Sequence, residues 1–346
     1  MELRIGLTPA ADDPIGEPSA IVAWRGGFAV VDEMQGNVKT FDHSGRFTGA
    51  LGRPGDGPGE FRRPFAAVPL PDGRLAVLDR SPARVSYFDS KGAYIESWRF
   101  PGGAPGGMRL APDGRGLVIS GQLESERDAG TGSRPFGVHL FSLAGAHLRS
   151  FHRIPAPVVP QETSFWTTSL AIVGGTAISG QYSRNTVRGY DLRTGREWSV
   201  AVGGSFYRRP EWARAQEVRQ LRDAARFHDS GMWLAGLVAV DCARFMARFV
   251  TKQNGQRRFQ YAVYGIDGRA IVMTTPGSIK VTDSHDGRLV ATHVDDEGNV
   301  ELLYLRPKGF ALNRCEPGPG NGARPADPAG GGTLPASARP ARPSPA

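Results

Sequence analysis

The feature that most constrains this chain is a glycine turn that recurs about every 50 residues. A short apolar strand is followed by Asp or Ser and, within four residues, by Gly; successive copies are marked by Gly45, Gly92, Gly145, Gly195 and Gly268. The intervals are 47, 53, 50 and 73 residues. Such turns need a positive φ, which Gly adopts without strain. A repeat of this length is typical of a propeller blade, because one small sheet cannot bury both of its faces alone.

A second turn, often Asp-Gly, precedes an apolar strand in most copies, as in Asp72–Asp79. The two turns predict an all-β fold, a six-bladed β-propeller of four-stranded antiparallel blades. The predicted blades span about 19–52, 63–100, 106–152, 163–202, 231–274 and 276–313. A strand within 2–8 would complete the last blade and close the ring, which leaves no sheet edge exposed.

The predicted propeller domain covers residues 1–315, and a tail covers 316–346. Those 31 tail residues contain 8 Pro, 6 Gly and 7 Ala, with almost no side chains to bury. We expect the tail to be disordered, since it cannot offset the entropy of ordering with apolar burial.

One stretch carries a family resemblance. Residues 51–64 read Leu-Gly-Arg-Pro-Gly-Asp-Gly-Pro-Gly-Glu-Phe-Arg-Arg-Pro and lead into the hairpin 75–92. Residues 51–100 resemble an NHL repeat, and the chain is similar to the bacterial six-bladed, TolB-like β-propeller proteins. That resemblance implies the fold. It implies little about activity, because many such proteins are exported or lipid-anchored and have no assigned function.

Charge and composition restrict the classes of partner that the sequence predicts. The net charge is +8, but the arginines are spread through every segment, so nucleic-acid binding is not expected. No apolar run is long enough for a transmembrane span, and the first residues lack the apolar core of a signal peptide. The compartment stays open: periplasmic or extracellular if a leader is missing, otherwise cytoplasmic. We expect a monomer, and whether Cys242 and Cys315 pair is undecided.

Motifs for chemistry are weak. The seven histidines show no metal-binding spacing, and no nucleophile motif is present. We therefore expect no catalytic residues, no metal and no cofactor. His139 and His147 flank a hairpin turn and are expected to be solvated. Asp79 and Arg84 either form an ion pair that fastens a hairpin or contact a ligand.

Two long insertions interrupt the repeat, at 121–135 and 203–230. In the second, apolar residues recur every three or four positions from Trp212 to Ala225, which predicts an inserted helix near 209–227. This helix would either cover the channel as a lid or cap the ring with its arginines in water.

Long loops on a rigid scaffold usually carry binding. We therefore expect a non-catalytic propeller that binds a protein segment, small molecule or glycan on the face with both insertions. The alternatives are a metal-dependent propeller lyase or lactonase, and RNA binding by a basic face. The expected ligand-binding residues are Arg84, Arg134, Trp166, Arg184, Trp212, Arg219 and Trp233.

Overall fold

The computed structural model describes most of the 346-residue chain. The described residues are 3–16, 18–123, 136–153, 168–181, 184–208, 231–253, 255–285, 288–295 and 299–306. They form 24 strands in six four-stranded antiparallel sheets. The predicted six-bladed β-propeller is therefore confirmed.

The strands follow one another around the ring. The first is β1 (Leu3–Gly6). Blade 1 contains β2 (Pro18–Trp24), β3 (Gly27–Asp32), β4 (Asn37–Phe41) and β5 (Phe47–Leu51). Blade 2 contains β6 (Pro64–Pro69), β7 (Leu75–Arg80), β8 (Ala83–Phe88) and β9 (Tyr94–Arg99). Blade 3 contains β10 (Gly103–Leu110), β11 (Gly116–Leu123), β12 (Phe136–Ser142) and β13 (His147–Arg153).

The second half repeats this order. Blade 4 contains β14 (Thr168–Val173), β15 (Thr176–Gln181), β16 (Thr186–Asp191) and β17 (Glu197–Ala201). Blade 5 contains β18 (Trp233–Ala239), β19 (Arg244–Gln253), β20 (Gln256–Gly265) and β21 (Ala270–Met273). Blade 6 contains β22 (Lys280–His285), β23 (Arg288–Val294) and β24 (Val300–Leu305), and β1 is its fourth strand.

The two ends of the propeller meet in blade 6. β1 pairs antiparallel with β24, with Leu3 opposite Tyr304 and Ile5 opposite Leu302. The turn glycine Gly45 of blade 1, at φ 87°, packs on this closing strand, where a Cβ would overlap the Gly6 carbonyl oxygen. This turn therefore needs Gly both for its conformation and for the close approach.

Six apolar clusters fill the spaces between neighbouring blades, one for each interface. The alternation of β3 shows how one strand serves two interfaces. Phe28 and Val30 pack toward blade 6, while Ala29 and Val31 pack toward blade 2. Successive strand side chains point to opposite faces, so a continuous apolar run is what such a strand requires.

Helices are nearly absent from the described residues. Among the described residues, the one helical element that is characterised is a 3-10 turn at Gly204–Phe206; the predicted helix near 209–227 and the tail from 316 lie outside the described residues. In the same part of the chain, no helix is both long enough and apolar enough to cross a membrane.

We call the face that carries the blade connections and the turns between second and third strands the upper face. Both predicted insertions leave the described strands at this face, because one follows β11 and the other follows β17.

Candidate functional site

In blade 2, a buried carboxylate at the end of β7 holds the upper face together. Asp79 is fully buried and accepts hydrogen bonds from the backbone N–H groups of Arg62 (3.1 Å), Arg63 (2.9 Å) and Ser81 (3.1 Å). Burial raises the pKa of Asp79, and the three backbone donors and Arg84 oppose that rise. The carboxylate thus joins the blade 1–2 connection to the turn of blade 2.

Arg84 extends the same anchor. Its guanidinium lies 3.8 Å from Asp79 Oδ2 and donates to the carbonyl oxygens of Asp56 (2.9 Å) and Glu60. The residue is only 7% exposed. Two of its guanidinium nitrogens thus bind the blade 1–2 connection, while Nε is buried without a partner.

Blade 1 has a related anchor at the end of β3. Asp32 accepts from the backbone N–H groups of Gly16 (2.7 Å) and Gln35 (3.1 Å). The fully buried Lys39 ammonium lies 3.5 Å from Asp32 Oδ2 and 2.7 Å from Asp13 Oδ1. It also donates to Asn37 Oδ1 at 3.0 Å. A buried cation is tolerated here because it is surrounded by carboxylate and amide oxygens.

A shallow cleft of about 650 Å³ opens on the upper face between these two anchors. Met34, at its edge, is 71% exposed. The half-exposed arginines of the cleft are already paired, Arg62 with Asp56 and Arg63 with Glu33 at 2.6 Å. The cleft is lined by Met34, Gly36, Pro54, Gly55, Phe61, Arg62, Arg63 and Ser81.

Two further arginines fasten inner strands to each other. Arg80 lies over the Phe65 ring and donates to Pro105 O at 3.0 Å, which links blades 2 and 3. Arg248 donates to Ala235 O (2.9 Å) and to Val281 O, which links blades 5 and 6. Burial lowers the pKa of both groups, to about 10 for Arg80.

The interface of blades 3 and 4 is organised differently. Five residues form what we call the blade 3–4 pocket: His152, Ser179, Gln181, Arg188 and Tyr190. Ser179 lies opposite Arg188 in the β15–β16 ladder, and Tyr190 lies opposite Ala177. Cross-strand partners and residues two apart share a sheet face, so these blade 4 side chains all face blade 3.

His152 enters the pocket because of its backbone conformation. Its φ is 59°, one of two positive values among the described non-glycine residues. In the repeat, His152 occupies the position that Gly52 (φ 70°) has in blade 1, because Phe151 and Leu51 hold equivalent places in their outer strands. In a regular strand, neighbouring side chains would point apart. Here both rings contact Tyr190, at centroid distances of 5.5 Å for Phe151 and 5.9 Å for His152.

The pocket contains buried polar atoms that lack a hydrogen-bond partner. His152 Nδ1 lies 2.9 Å from Ser179 Oγ, but His152 Nε2 has no partner. The side-chain nitrogen of Gln181 and the hydroxyl of Tyr190 also have none. The three residues are 5%, 3% and 0% exposed. Native proteins pair most of their buried polar groups, so three such atoms in one pocket call for an explanation.

The electrostatics of the pocket follow from burial and from one cation. Burial, with the Arg188 charge beside it, lowers the pKa of His152 to about 3, so the imidazole is neutral at physiological pH. Burial also raises the pKa of Tyr190, the Glu197 carboxylate adds to that rise, and Arg188 opposes it. The guanidinium thus lies close to both rings, although the Tyr190 hydroxyl is not in hydrogen-bonding geometry.

The residues expected to bind a ligand are distributed as follows. Arg84 belongs to the blade 2 anchor described above. Arg184 lies in the turn above the pocket, where its N–H donates to Gln181 O at 3.1 Å. Trp233, at the start of β18, is 1% exposed. Arg134, Trp166, Trp212 and Arg219 lie outside the described residues.

One expectation about histidines was wrong, and the pocket was missed. His139 is fully buried, between Ser150 Oγ (2.9 Å) and Gly121 O (3.2 Å). A strict alignment of the repeats would have signalled both features. His139 and Arg188 occupy the position of Lys39 in their own blades. When the second strands are aligned with β3, each of the three residues lies opposite the fourth residue of that strand.

The described residues contain no group of three or more His, Cys, Asp or Glu side chains arranged to hold a metal ion. Cys242 is exposed, and Cys315 lies outside the described part of the chain.

Comparison with known proteins supports the fold. Residues 5–103 match the DUF5128 family, described as a 6-bladed beta-propeller. No curated protein sequence matches the chain significantly.

Solved structures are similar over nearly the whole chain. A putative exported protein from Bacteroides fragilis NCTC 9343 has 14% identity and a TM-score of 0.60, covering 88% of this chain and 94% of its own. A DUF4221-family protein from Bacteroides vulgatus has 11% identity and a TM-score of 0.60, covering 87% and 95%. A streptogramin B lyase has 10% identity and a TM-score of 0.52, covering 89% and 88%. Similarity at such low identity shows the fold alone.

Proposed function

We propose that this propeller is a non-catalytic binding protein whose ligand inserts a polar group into the blade 3–4 pocket from the upper face. The finer resemblance to NHL-repeat proteins fits this proposal, since the motif is a scaffold rather than a set of catalytic groups.

One observation carries the proposal: three buried polar atoms without partners belong to side chains at a single blade interface. Each such group costs about 1–3 kcal/mol when it is desolvated without a hydrogen bond. Apolar side chains fill the core clusters at the blade interfaces, as Phe28 and Val30 do between blades 6 and 1. A pocket of polar groups is therefore suited to meet a partner from outside the chain.

The scaffold supports such a site. Binding requires groups held in place before the ligand arrives, because ordering them on binding would reduce affinity. Ser179, on a central strand, fixes the His152 ring through Nδ1, and the Tyr190 ring stacks on it with an interplanar angle of 29°. The unpaired atoms are thus presented by side chains that are already ordered.

The experiment is a ligand screen by thermal shift on the full chain and on Tyr190→Phe and Gln181→Met. A compound that raises the Tm of the wild type should lose most of its effect in both variants. The matched control is Tyr261→Phe, since the Tyr261 hydroxyl donates to Ile279 O (2.6 Å) and accepts from Val281 N (2.9 Å) away from the pocket. Ligands whose shifts are unchanged in both pocket variants would refute this site.

A further inference from the structure

The chemical class of the ligand follows from comparing two blades at the same position, and this step rests on the proposed function. In blade 1, Lys39 lies opposite Val30, and Asp32 follows Val30 by two residues. In blade 4, Arg188 lies opposite Ser179, and Gln181 follows Ser179 by two residues. Both sets face the preceding blade, as the apolar clusters at the two interfaces show.

The two positions differ in one respect. The Lys39 cation is surrounded by carboxylates from Asp13 and Asp32 and by the amide oxygen of Asn37. Arg188 keeps a cation in the same place, but Gln181 stands where blade 1 has Asp32. Among the ion pairs formed within the described part of the chain, none includes Arg188. Blade 4 has therefore kept the cation and replaced the anion by a neutral amide.

The polar atoms around Arg188 are those that a carboxylate would use. The Gln181 side-chain nitrogen and the Tyr190 hydroxyl are donors without acceptors. His152 can direct a donor at Nε2 as well, because Ser179 Oγ can accept from or donate to Nδ1. A carboxylate offers two oxygens with about four acceptor positions, and a guanidinium binds such a group through paired hydrogen bonds.

The geometry points to a carboxylate-binding site in the blade 3–4 pocket, in which a carboxylate of the ligand lies beside Gln181 and pairs with Arg188, as Asp13 and Asp32 pair with Lys39 in blade 1. A carboxylate is favoured over a larger oxyanion because blade 1 fills the equivalent space with carboxylates on both sides of its cation. The ligand would be a small organic acid, or a larger molecule that inserts its carboxylate.

The test uses acetate and its neutral isostere acetamide as probes on the full chain. Binding is followed through the ring-nitrogen NMR signals of His152 and by calorimetry. We expect acetate to bind and to shift the His152 Nε2 signal, and acetamide to bind at least tenfold more weakly. Arg188→Gln should weaken acetate binding at least tenfold. Arg193→Gln, in the exposed turn between β16 and β17, is the matched control and should leave it unchanged.

A gain-of-carboxylate variant makes the test sharper. Gln181→Asp restores the blade 1 arrangement, so it should abolish acetate binding while raising the Tm. Acetate binding that survives in this variant would overturn the inference. So would tighter binding of inorganic phosphate than of acetate to the wild type.

The remaining outcomes separate the inference from the proposed function. If acetamide or other neutral probes bind in the pocket as tightly as acetate, the carboxylate inference fails and the binding site stands. If acetate does not bind and a high-resolution structure shows a side chain of the protein itself bonded to the three atoms, both fail. If no probe binds and a high-resolution structure shows only water at the three atoms, both fail as well.

Discussion

The blade 1–2 pair and the blade 3–4 pair differ at one position of the repeat, the end of the second strand. In the first pair, a carboxylate at the end of the second strand accepts backbone N–H groups from the incoming connection and lies beside a cation. In blade 4 the cation Arg188 remains, but Gln181 replaces the carboxylate and three neighbouring polar atoms are unpaired. In the first pair the carboxylates thus bind the chain to itself, although Arg84 Nε and Ser86 Oγ are buried without a partner; in the second, three unpaired buried atoms lie at one blade interface.

The comparison shows that a repeat can change the polar side chains at one position while it keeps its strand pairing. An Asp that satisfies two or three backbone donors fixes a loop, because each donor would otherwise need another acceptor. Removing that Asp in one blade leaves the strand ladder intact, as the regular β15–β16 pairing shows. Only the side-chain chemistry at the interface has changed.

The largest expected difference concerns the two cations. Lys39→Met should lower the free energy of unfolding by about 3–5 kcal/mol, because it leaves the fully buried Asp32 carboxylate without its charge partner. Arg188→Met should change it by less than about 1 kcal/mol, because it breaks no ion pair among the described residues. Urea denaturation of both variants at pH 7 measures the two values.

Equal losses in the two variants would contradict the comparison, since they would mean that Arg188 is as strongly paired as Lys39. Adding acetate to the Arg188→Met sample should have no effect on its unfolding midpoint. The wild type should be stabilised by acetate if the pocket takes a carboxylate.

The sequence predicted the blades well and the pocket poorly, for a physical reason. Turn glycines such as Gly45 and Gly92 and the apolar runs between them are local signals, so the six blades could be placed from spacing alone. The pocket depends on which residue faces which blade. His152 reaches the pocket only because of its positive φ, and no local motif around residues 151–153 predicts that conformation. The ligand-binding residues chosen from loop length fell mainly on segments outside the described residues.

A smaller effect is expected from the pH dependence of stability. The His152 pKa is about 3 in the folded protein, against 6.5 for an ordinary histidine, so between these values only the unfolded chain takes up the proton. Stability from this group is complete above pH 6.5 and decreases as the pH falls toward 3. The decrease between pH 6.5 and 4.5 should be about 2–3 kcal/mol, at roughly 1.4 kcal/mol per pH unit.

The variant His152→Asn isolates this contribution, since Asn tolerates positive φ better than most residues. The difference in unfolding free energy between wild type and variant should change with pH by that amount. A difference that stays constant from pH 6.5 to 4.5 would mean that His152 takes up its proton in the folded protein as readily as in the unfolded chain. In that case the buried neutral pocket of blades 3 and 4 would be wrong.

The smallest effect concerns the Tyr190 hydroxyl. Blades 1, 2 and 3 carry Phe41, Phe88 and Phe141 at this position, just before the Asp or Ser of the turn. Tyr190→Phe removes a buried hydroxyl without a partner, so it should leave stability unchanged or raise it by up to about 1 kcal/mol. Tyr261→Phe should instead lower it by about 1–2 kcal/mol, because that hydroxyl makes two hydrogen bonds. Denaturation curves of both variants measure the two changes in unfolding free energy. If Tyr190→Phe lowers stability as much as Tyr261→Phe does, the Tyr190 hydroxyl is hydrogen-bonded within the protein. Blade 4 would then differ from blade 1 in composition but not in unused hydrogen-bonding capacity.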